Sequence, residues 1–227
     1  MSINHDPLQL FLVVTSGLCW TIVYLDSIRI GFRDFTYAIP LWALALNIAW
    51  ELQQAVLEYQ QSGIVLQVVI STVWFLLDVI ILVTFFRFGN KFFPKNLHLQ
   101  WFLPWSILVL VTSFVLEYVF LKEFGLFTGR KYAAFLQNLL MSILFIGMLV
   151  RRGTSEGQSL TIALNKWLGT LTPTIYFGVM GGDERSGPNT LILVAGCLCT
   201  FFDLIYISML IKVKALENRR EQTDIIM

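Results

Sequence analysis

Three carboxylic acids lie inside apolar stretches of this 227-residue chain, where an ionised group is costly. They are Glu51, Asp78 and Asp203, on three separate predicted helices. A charged side chain at the centre of a bilayer costs at least ~2.5–3.5 kcal/mol unless it is protonated, paired or faces a wet cavity. A carboxylic acid removed from water keeps its proton more readily and can then donate it. The three acids therefore predict a polar pocket inside a helical bundle and acid chemistry on a lipid-soluble substrate.

The residues around Glu51 form one polar stripe. Asn47, Glu51, Gln54 and Glu58 follow one another at spacings that share a helix face, and Trp50 precedes the acid. Such a stripe can also join two membrane helices through side-chain hydrogen bonds alone. A glutamic acid at position 51 favours the functional interpretation, because a neutral glutamine would serve for packing.

The other two acids have polar or aromatic neighbours at helical spacing. Tyr206 lies one turn after Asp203 and is predicted to orient it by a hydrogen bond, and Trp74 lies one turn before Asp78. A local polar network without chemistry is the alternative for Asp203, and Asp78 is as well suited to support as to catalysis. Asn138 is predicted at the same membrane depth and is a candidate for the pocket lining or for simple packing.

Aromatic side chains flank the acids within the predicted spans. Trp50, Trp74, Phe201 and Phe202 would line an apolar cavity whose π faces stabilise a passing carbocation. Such walls would also exclude the water that quenches it. Aromatic belts at membrane surfaces offer a purely structural explanation.

The composition is that of a polytopic membrane protein. Hydrophobic residues make up 56% of the chain and charged residues 14%, with a net charge of +1, and the mean hydropathy is +0.70. Soluble domains carry about 25% charged residues. The near-neutral charge argues against nucleic-acid binding. We expect residues 1–227 to form a single transmembrane domain.

Seven stretches approach the ~20 apolar residues that a membrane-spanning helix needs. The predicted fold is therefore an all-α bundle of seven transmembrane helices. The sixth stretch contains Asn165, Lys166 and Pro173 and is predicted to be broken or partly interfacial. The predicted spans are residues 8–25, 36–58, 64–86, 101–121, 132–150, 158–179 and 190–212.

Basic residues in the loops set the predicted orientation. With Lys166 left out, eleven Lys and Arg residues fall on the side of the C-terminus and four on the side of the N-terminus. Loops rich in Lys and Arg remain in the cytoplasm. This imbalance places the N-terminus outside and the C-terminus in the cytoplasm.

Several chemistries have no counterpart in the sequence. The Asp-rich motifs of Mg²⁺-dependent prenyl diphosphate enzymes are absent, as is a His-rich cluster. The last span has no mid-span lysine for a retinal Schiff base, since Lys212 and Lys214 lie at its end. We expect no metal and no redox cofactor.

Four short motifs together resemble a family of membrane enzymes. The motifs are NIAWE, WFLLD, FLQNLLMS and DLIY, on the second, third, fifth and seventh predicted spans. They resemble the small seven-span terpene cyclases of fungal meroterpenoid and indole-diterpene biosynthesis and their bacterial relatives. The resemblance covers most of the chain in length, span count and motif order.

This resemblance implies a function and a set of residues. The family protonates the terminal epoxide or alkene of a prenylated substrate and guides a carbocation cyclisation cascade. Its essential acids, a Glu on the second helix and an Asp on the last, map onto Glu51 and Asp203, and its third-helix Asp maps onto Asp78. The expected partners are a lipid-soluble prenylated substrate and membrane lipids, in the plasma membrane of a bacterium or the endoplasmic reticulum of a fungus.

A proton-coupled transporter is the alternative function. Transporters also place carboxylates at the membrane midplane for proton relay. They often contain internal repeats and matching broken helices, which this sequence lacks apart from the interruption expected near Pro173.

Overall fold

The computed structural model describes residues 7–182 and 187–226, and within them the fold is all-helical, as predicted. Two 3₁₀ turns span Gly89–Phe92 and Leu99–Trp101, and a π-helix spans Thr174–Val179. The α-helices are α1 (Pro7–Arg33), α2 (Leu41–Ser62), α3 (Leu66–Phe88), α4 (Phe102–Arg152), α5 (Leu160–Pro173) and α6 (Thr190–Ile226).

Four helical segments are long and apolar enough to cross a membrane. They are Pro7–Arg33, Leu66–Phe92, Leu99–Arg152 and Thr190–Arg220. Their apolar outer surfaces confirm a membrane protein. The count of seven spans and the orientation of the termini stay predictions.

The 51-residue α4 folds back on itself at Gly125. Gly125 has φ 72° and ψ 160°, a conformation that glycine adopts without a Cβ clash. A Cβ on Gly129 would lie only 3.0 Å from the carbonyl oxygen of Phe120. In a straight helix, residues nine apart would lie about 14 Å apart along the axis. Residues 102–124 and 126–152 therefore form two helical halves that reverse direction, which matches the gap predicted between the fourth and fifth spans.

Helix α2 packs against both halves of α4. The indole nitrogen of Trp50 donates to the carbonyl oxygen of Arg130 at 3.0 Å, and the amide of Gln53 donates to that of Phe114 at 3.0 Å. Two side chains on one face of α2 thus anchor it to both halves. This arrangement directs the stripe that contains Glu51 toward the interior.

Helix α5 packs closely on α1 and then changes its winding. The Ser16 hydroxyl donates to the carbonyl oxygen of Gly169 at 2.8 Å, and a Cβ on Gly169 would lie 3.0 Å from the Trp20 ring. Glycine is required here because the two helices approach so closely. The α-helix ends at Pro173 and continues as the π-helix, which confirms the predicted interruption of the sixth stretch.

Candidate active site

A cavity of about 570 Å³ opens between the helices at the end of the bundle where α1 begins and α2 ends. Pockets that bind small molecules commonly measure ~300–1,000 Å³. Half of the predicted site residues line this space. They are Asn47, Trp50, Glu51, Trp74 and Asn138.

Among the residues that the structure describes, Glu51 is the carboxylic acid that lines the cavity. Its side chain is only 3% exposed, and its Oε2 atom has no hydrogen-bond partner among the described residues. The Ser71 hydroxyl lies beside the carboxyl group. None of the ion pairs in the described part of the chain includes Glu51. The acid is thus held next to an open space without a neutralising cation.

Asp78 lies behind the cavity wall, near Glu51. Its side chain is fully buried, and neither of its carboxyl oxygens has a hydrogen-bond partner among the residues that the structure describes. It is close enough for electrostatic interaction with both Glu51 and Tyr24. Two neighbouring carboxyl groups do not both ionise readily. The pair Glu51 and Asp78 can therefore share one negative charge at most without a large cost.

Aromatic rings from α1 and α3 form one wall of the cavity. The Tyr24 ring centroid lies 5.9 Å from that of Trp74 and 6.2 Å from that of Trp20. The Asn47 amide donates to the Tyr24 hydroxyl at 3.4 Å, and the Trp74 indole donates to the Thr21 hydroxyl at 3.2 Å. These bonds fix the rings, so their faces are preorganised.

The opposite part of the cavity carries positive charge and further rings. Arg130 pairs with Glu58 at 2.9 Å, and the Lys131 ammonium lies 3.9 Å from the Phe127 ring and 4.9 Å from the Phe177 ring. Arg130, Lys131 and Phe177 all line the cavity. The space therefore offers both apolar walls and polar groups.

Asp203 lies elsewhere in the bundle, in a buried ion pair. Its Oδ1 atom accepts a hydrogen bond from the Lys166 ammonium at 2.6 Å, and the two side chains are 1% and 0% exposed. Asp203 is not among the residues that line the cavity. The predicted convergence of Glu51, Asp78 and Asp203 on one pocket is wrong in this respect, because Asp203 pairs with Lys166 and does not line the cavity.

The other α6 candidates also lie outside the cavity. The predicted bond from Tyr206 to Asp203 is wrong, because the Tyr206 hydroxyl donates to Gln158 at 3.0 Å. Phe201 is 59% exposed on the outer surface and packs on Phe202, with ring centroids 5.6 Å apart. Successive residues are about 100° apart around a helix. Phe201 and Phe202 therefore point away from the face that carries Asp203.

A second cavity, of about 620 Å³, lies at the other end of the bundle. It is lined by aromatic residues such as Trp42, Phe92 and Trp105, with Arg151 as a cation. No Asp or Glu of the described residues lines it. Of these two cavities, the first is the one that a predicted acid, Glu51, lines.

Comparison with known proteins decides the family. The profile of the Pyr4-like transmembrane terpene cyclases matches residues 3–216 of this chain. The chain belongs to this family. It is a membrane terpene cyclase, as the resemblance indicated, and its substrates are lipophilic and prenylated.

Individual relatives support the same conclusion. The cyclase is 29% identical over 168 residues to the Pyr4-family terpene cyclase mfmH of Annulohypoxylon moriforme, covering 73% of this chain and 68% of the relative. It is 26% identical over 218 residues to the terpene cyclase pyr4 of Aspergillus fumigatus, covering 92% and 88%. It is 30% identical over 189 residues to the terpene cyclase spyD of the same fungus, covering 80% and 74%. These relatives give no support to the transporter alternative.

No solved structure matches the cyclase. Its site is therefore read from its own geometry.

Sequence reasoning missed two residues, one in the cavity wall and one in the buried ion pair. Tyr24 lies one turn after Trp20 on α1, and that aromatic spacing was the available signal, although it equally fits a ring at the membrane surface. Lys166 was left out of the charge count as ambiguous. A basic residue within a predicted span is itself a sign of a buried acidic partner.

Proposed function

We propose that Glu51 initiates cyclisation by protonating the terminal epoxide or alkene of a prenylated substrate in the first cavity. The observation that supports this is the position of its carboxyl group, buried and in none of the ion pairs of the described residues, beside a cavity with aromatic walls. An unpaired buried carboxylate is costly, so the protonated, neutral form is favoured. That is the form a general acid requires.

The reaction balances without an added reagent. Glu51 gives its proton to the epoxide oxygen, the C–O bond to the more substituted carbon breaks, and that carbon becomes cationic. The nearest double bond attacks it, and later double bonds repeat the step. Loss of a proton from carbon, or capture by a head-group hydroxyl that then loses its proton, ends the cascade and restores the acid.

The aromatic wall suits the cationic stages. Trp20, Tyr24 and Trp74 line the same space, and cation–π attraction to a ring face is worth about 0.5–2 kcal/mol per contact. Walls fixed by hydrogen bonds cost little reorganisation during the reaction. They also fold the prenyl chain into a reactive shape.

Asp78 and Asn47 are assigned supporting roles. The fully buried Asp78 carboxyl group lies close enough to Glu51 to influence its charge. Asn47 positions the Tyr24 hydroxyl. Asn138, which also lines the cavity, offers an amide to the substrate.

The membrane arrangement is part of the proposal. We infer seven crossings, because the reversal at Gly125 divides Leu99–Arg152 into two halves and α2 and α5 supply the remaining two. The N-terminus lies outside and the C-terminus in the cytoplasm, in a plasma membrane or endoplasmic reticulum membrane. The first cavity then opens toward the non-cytoplasmic side. No metal or redox cofactor takes part.

The test compares two glutamate variants of the full chain in membranes. The substrates are phenols that carry terminally epoxidised geranyl, farnesyl or geranylgeranyl chains. Glu51→Gln should lower turnover ~10²–10⁴-fold, the usual worth of general acid catalysis. Glu123→Gln, at an exposed position of α4, is the control and should retain wild-type turnover. Near-wild-type activity of Glu51→Gln would contradict the proposal.

A further inference from the structure

The buried contact between Lys166 and Asp203 joins three helices. The Lys166 ammonium, on α5, donates to Asp203 on α6 and to the Ser142 hydroxyl on α4, both at 2.6 Å. Both charged side chains are removed from the surface. Charges that are buried together balance each other, whereas removal of one partner leaves an uncompensated charge.

This contact is linked to the wall of the catalytic cavity in two ways. Ser142 also donates to the carbonyl oxygen of Asn138 at 2.9 Å, and Asn138 lines the cavity. Gly169, one turn after Lys166, lies so close to Trp20 that a Cβ would stand 3.0 Å from the ring. A shift of Lys166 would therefore be transmitted to Trp20 and Asn138, which both line the cavity.

Asp203 is poorly placed for proton donation. A general acid must come within hydrogen-bond reach of the atom that it protonates. Asp203 does not line the cavity, and its Oδ1 atom is occupied by the ammonium group. We propose that Lys166 and Asp203 are positioning residues, a charge pair that holds α5 at the depth required by the cavity, and that Asp203 is not the proton donor.

This proposal rests on the cyclase reaction assigned to Glu51, and a paired substitution separates the two ideas. If Asp203 were the proton donor, removing Lys166 as well would not restore the activity that is lost with Asp203. A charge pair can be replaced by apolar side chains of similar volume, often without loss. Ser142 keeps its bond to the Asn138 carbonyl in such a variant, so no new unsatisfied group is created there.

The experiment compares Asp203→Leu alone, Lys166→Met/Asp203→Leu, and Glu51→Gln, with the epoxy-farnesyl phenol as substrate. The readouts are turnover per folded molecule and the ratio of cyclised product to the acyclic diol formed when water captures the first cation. Asp203→Leu should lose at least ~10-fold in turnover and form more diol, because it strands a buried ammonium group. The double variant should recover to within roughly three-fold of wild type, with the wild-type product ratio.

The outcomes separate the hypotheses. A folded double variant that remains as inactive as Asp203→Leu would show that Asp203 is needed for its own proton, and would overturn the proposal. Full activity of Glu51→Gln would instead contradict the function assigned to Glu51. The roles of Lys166 and Asp203 would still be decided by the activity of the double variant. If Lys166→Met/Asp203→Leu does not fold, Lys166→Gln/Asp203→Asn replaces it with the same expected recovery. Failure of both neutral pairs to fold would also contradict the proposal, which requires that the two charges can be removed together.

Discussion

Gly196 provides a sharp test of how α6 positions the cavity wall. A Cβ at this site would lie 2.1 Å from Oγ1, 2.3 Å from Cγ2 and 2.7 Å from Cβ of Thr174. Carbon atoms in contact normally stand ~3.5–4.0 Å apart. Rotation of the threonine cannot relieve the contact with its Cβ, so Gly196→Ala must move α6 and the π-helix apart by about 1 Å.

The expected loss of stability follows from two opposing effects. Overpacking costs up to about 3 kcal/mol, and replacing a helical glycine by alanine returns about 1 kcal/mol. The net loss of about 2 kcal/mol corresponds to a fall in Tm of roughly 4–8 °C for a chain of this size. Gly147→Ala is the matched control, because a Cβ at Gly147 meets nothing within 4 Å, and it should be neutral or slightly stabilising.

The displacement of the π-helix should also lower the rate of cyclisation. The π-helix carries Tyr176 and Phe177, which line the cavity, and a misplacement of ~1 Å can cost ~10²-fold in rate. Thermal unfolding in detergent and product analysis would measure both effects. Adding Thr174→Ala removes the two closest atoms and should restore part of the loss. If Gly196→Ala matches Gly147→Ala in Tm and turnover, the packing argument is refuted.

Three further predictions follow from the site and the topology. Trp74→Leu removes a ring whose attraction to a cation is worth about 0.5–2 kcal/mol. It should raise the share of the diol formed when water captures the cation, which product analysis measures. An unchanged share would exclude a role for this ring. Tyr24→Phe keeps the ring but loses the hydroxyl that accepts from Asn47, and should reduce turnover only a few-fold, as expected for one neutral hydrogen bond of about 0.5–1.5 kcal/mol. A loss as large as that of Glu51→Gln would make Tyr24 the better candidate for the acid. A cytoplasmic reporter fused to the C-terminus should be active, and activity only on the other side of the membrane would reverse the assigned orientation.

Helical periodicity predicted the part of the site that lies on single helices. Asn47, Trp50 and Glu51 line the cavity, as expected for neighbouring positions on the inner side of one helix. The glycine-rich segment between the fourth and fifth predicted spans contains the observed reversal at Gly125. Helical spacing and the conformational freedom of glycine are properties of neighbouring residues, so both features can be predicted from the sequence.

Helical periodicity could not predict contacts between helices that are distant in the sequence. Lys166 and Asp203 are 37 residues apart, and no local pattern joins them. The sequence predicts that Asp203 lies within a membrane span, but it does not reveal which neighbouring helix the Asp203 side chain meets. Aromatic residues present the same difficulty, since Tyr24 and Phe201 both occur in apolar helices and only packing separates the cavity wall from the outer surface.

The most direct test of the account is a structure with a substrate analogue whose terminal epoxide is replaced by an aziridine. The basic nitrogen stands for the protonated oxygen at the start of the cascade. We predict that it lies about 2.6–3.2 Å from a Glu51 carboxyl oxygen, with the prenyl chain against Trp20 and Trp74 and with Asp203 still paired to Lys166. A nitrogen bound to Asp203, with Lys166 displaced, would contradict the assignment of Glu51 as the proton donor.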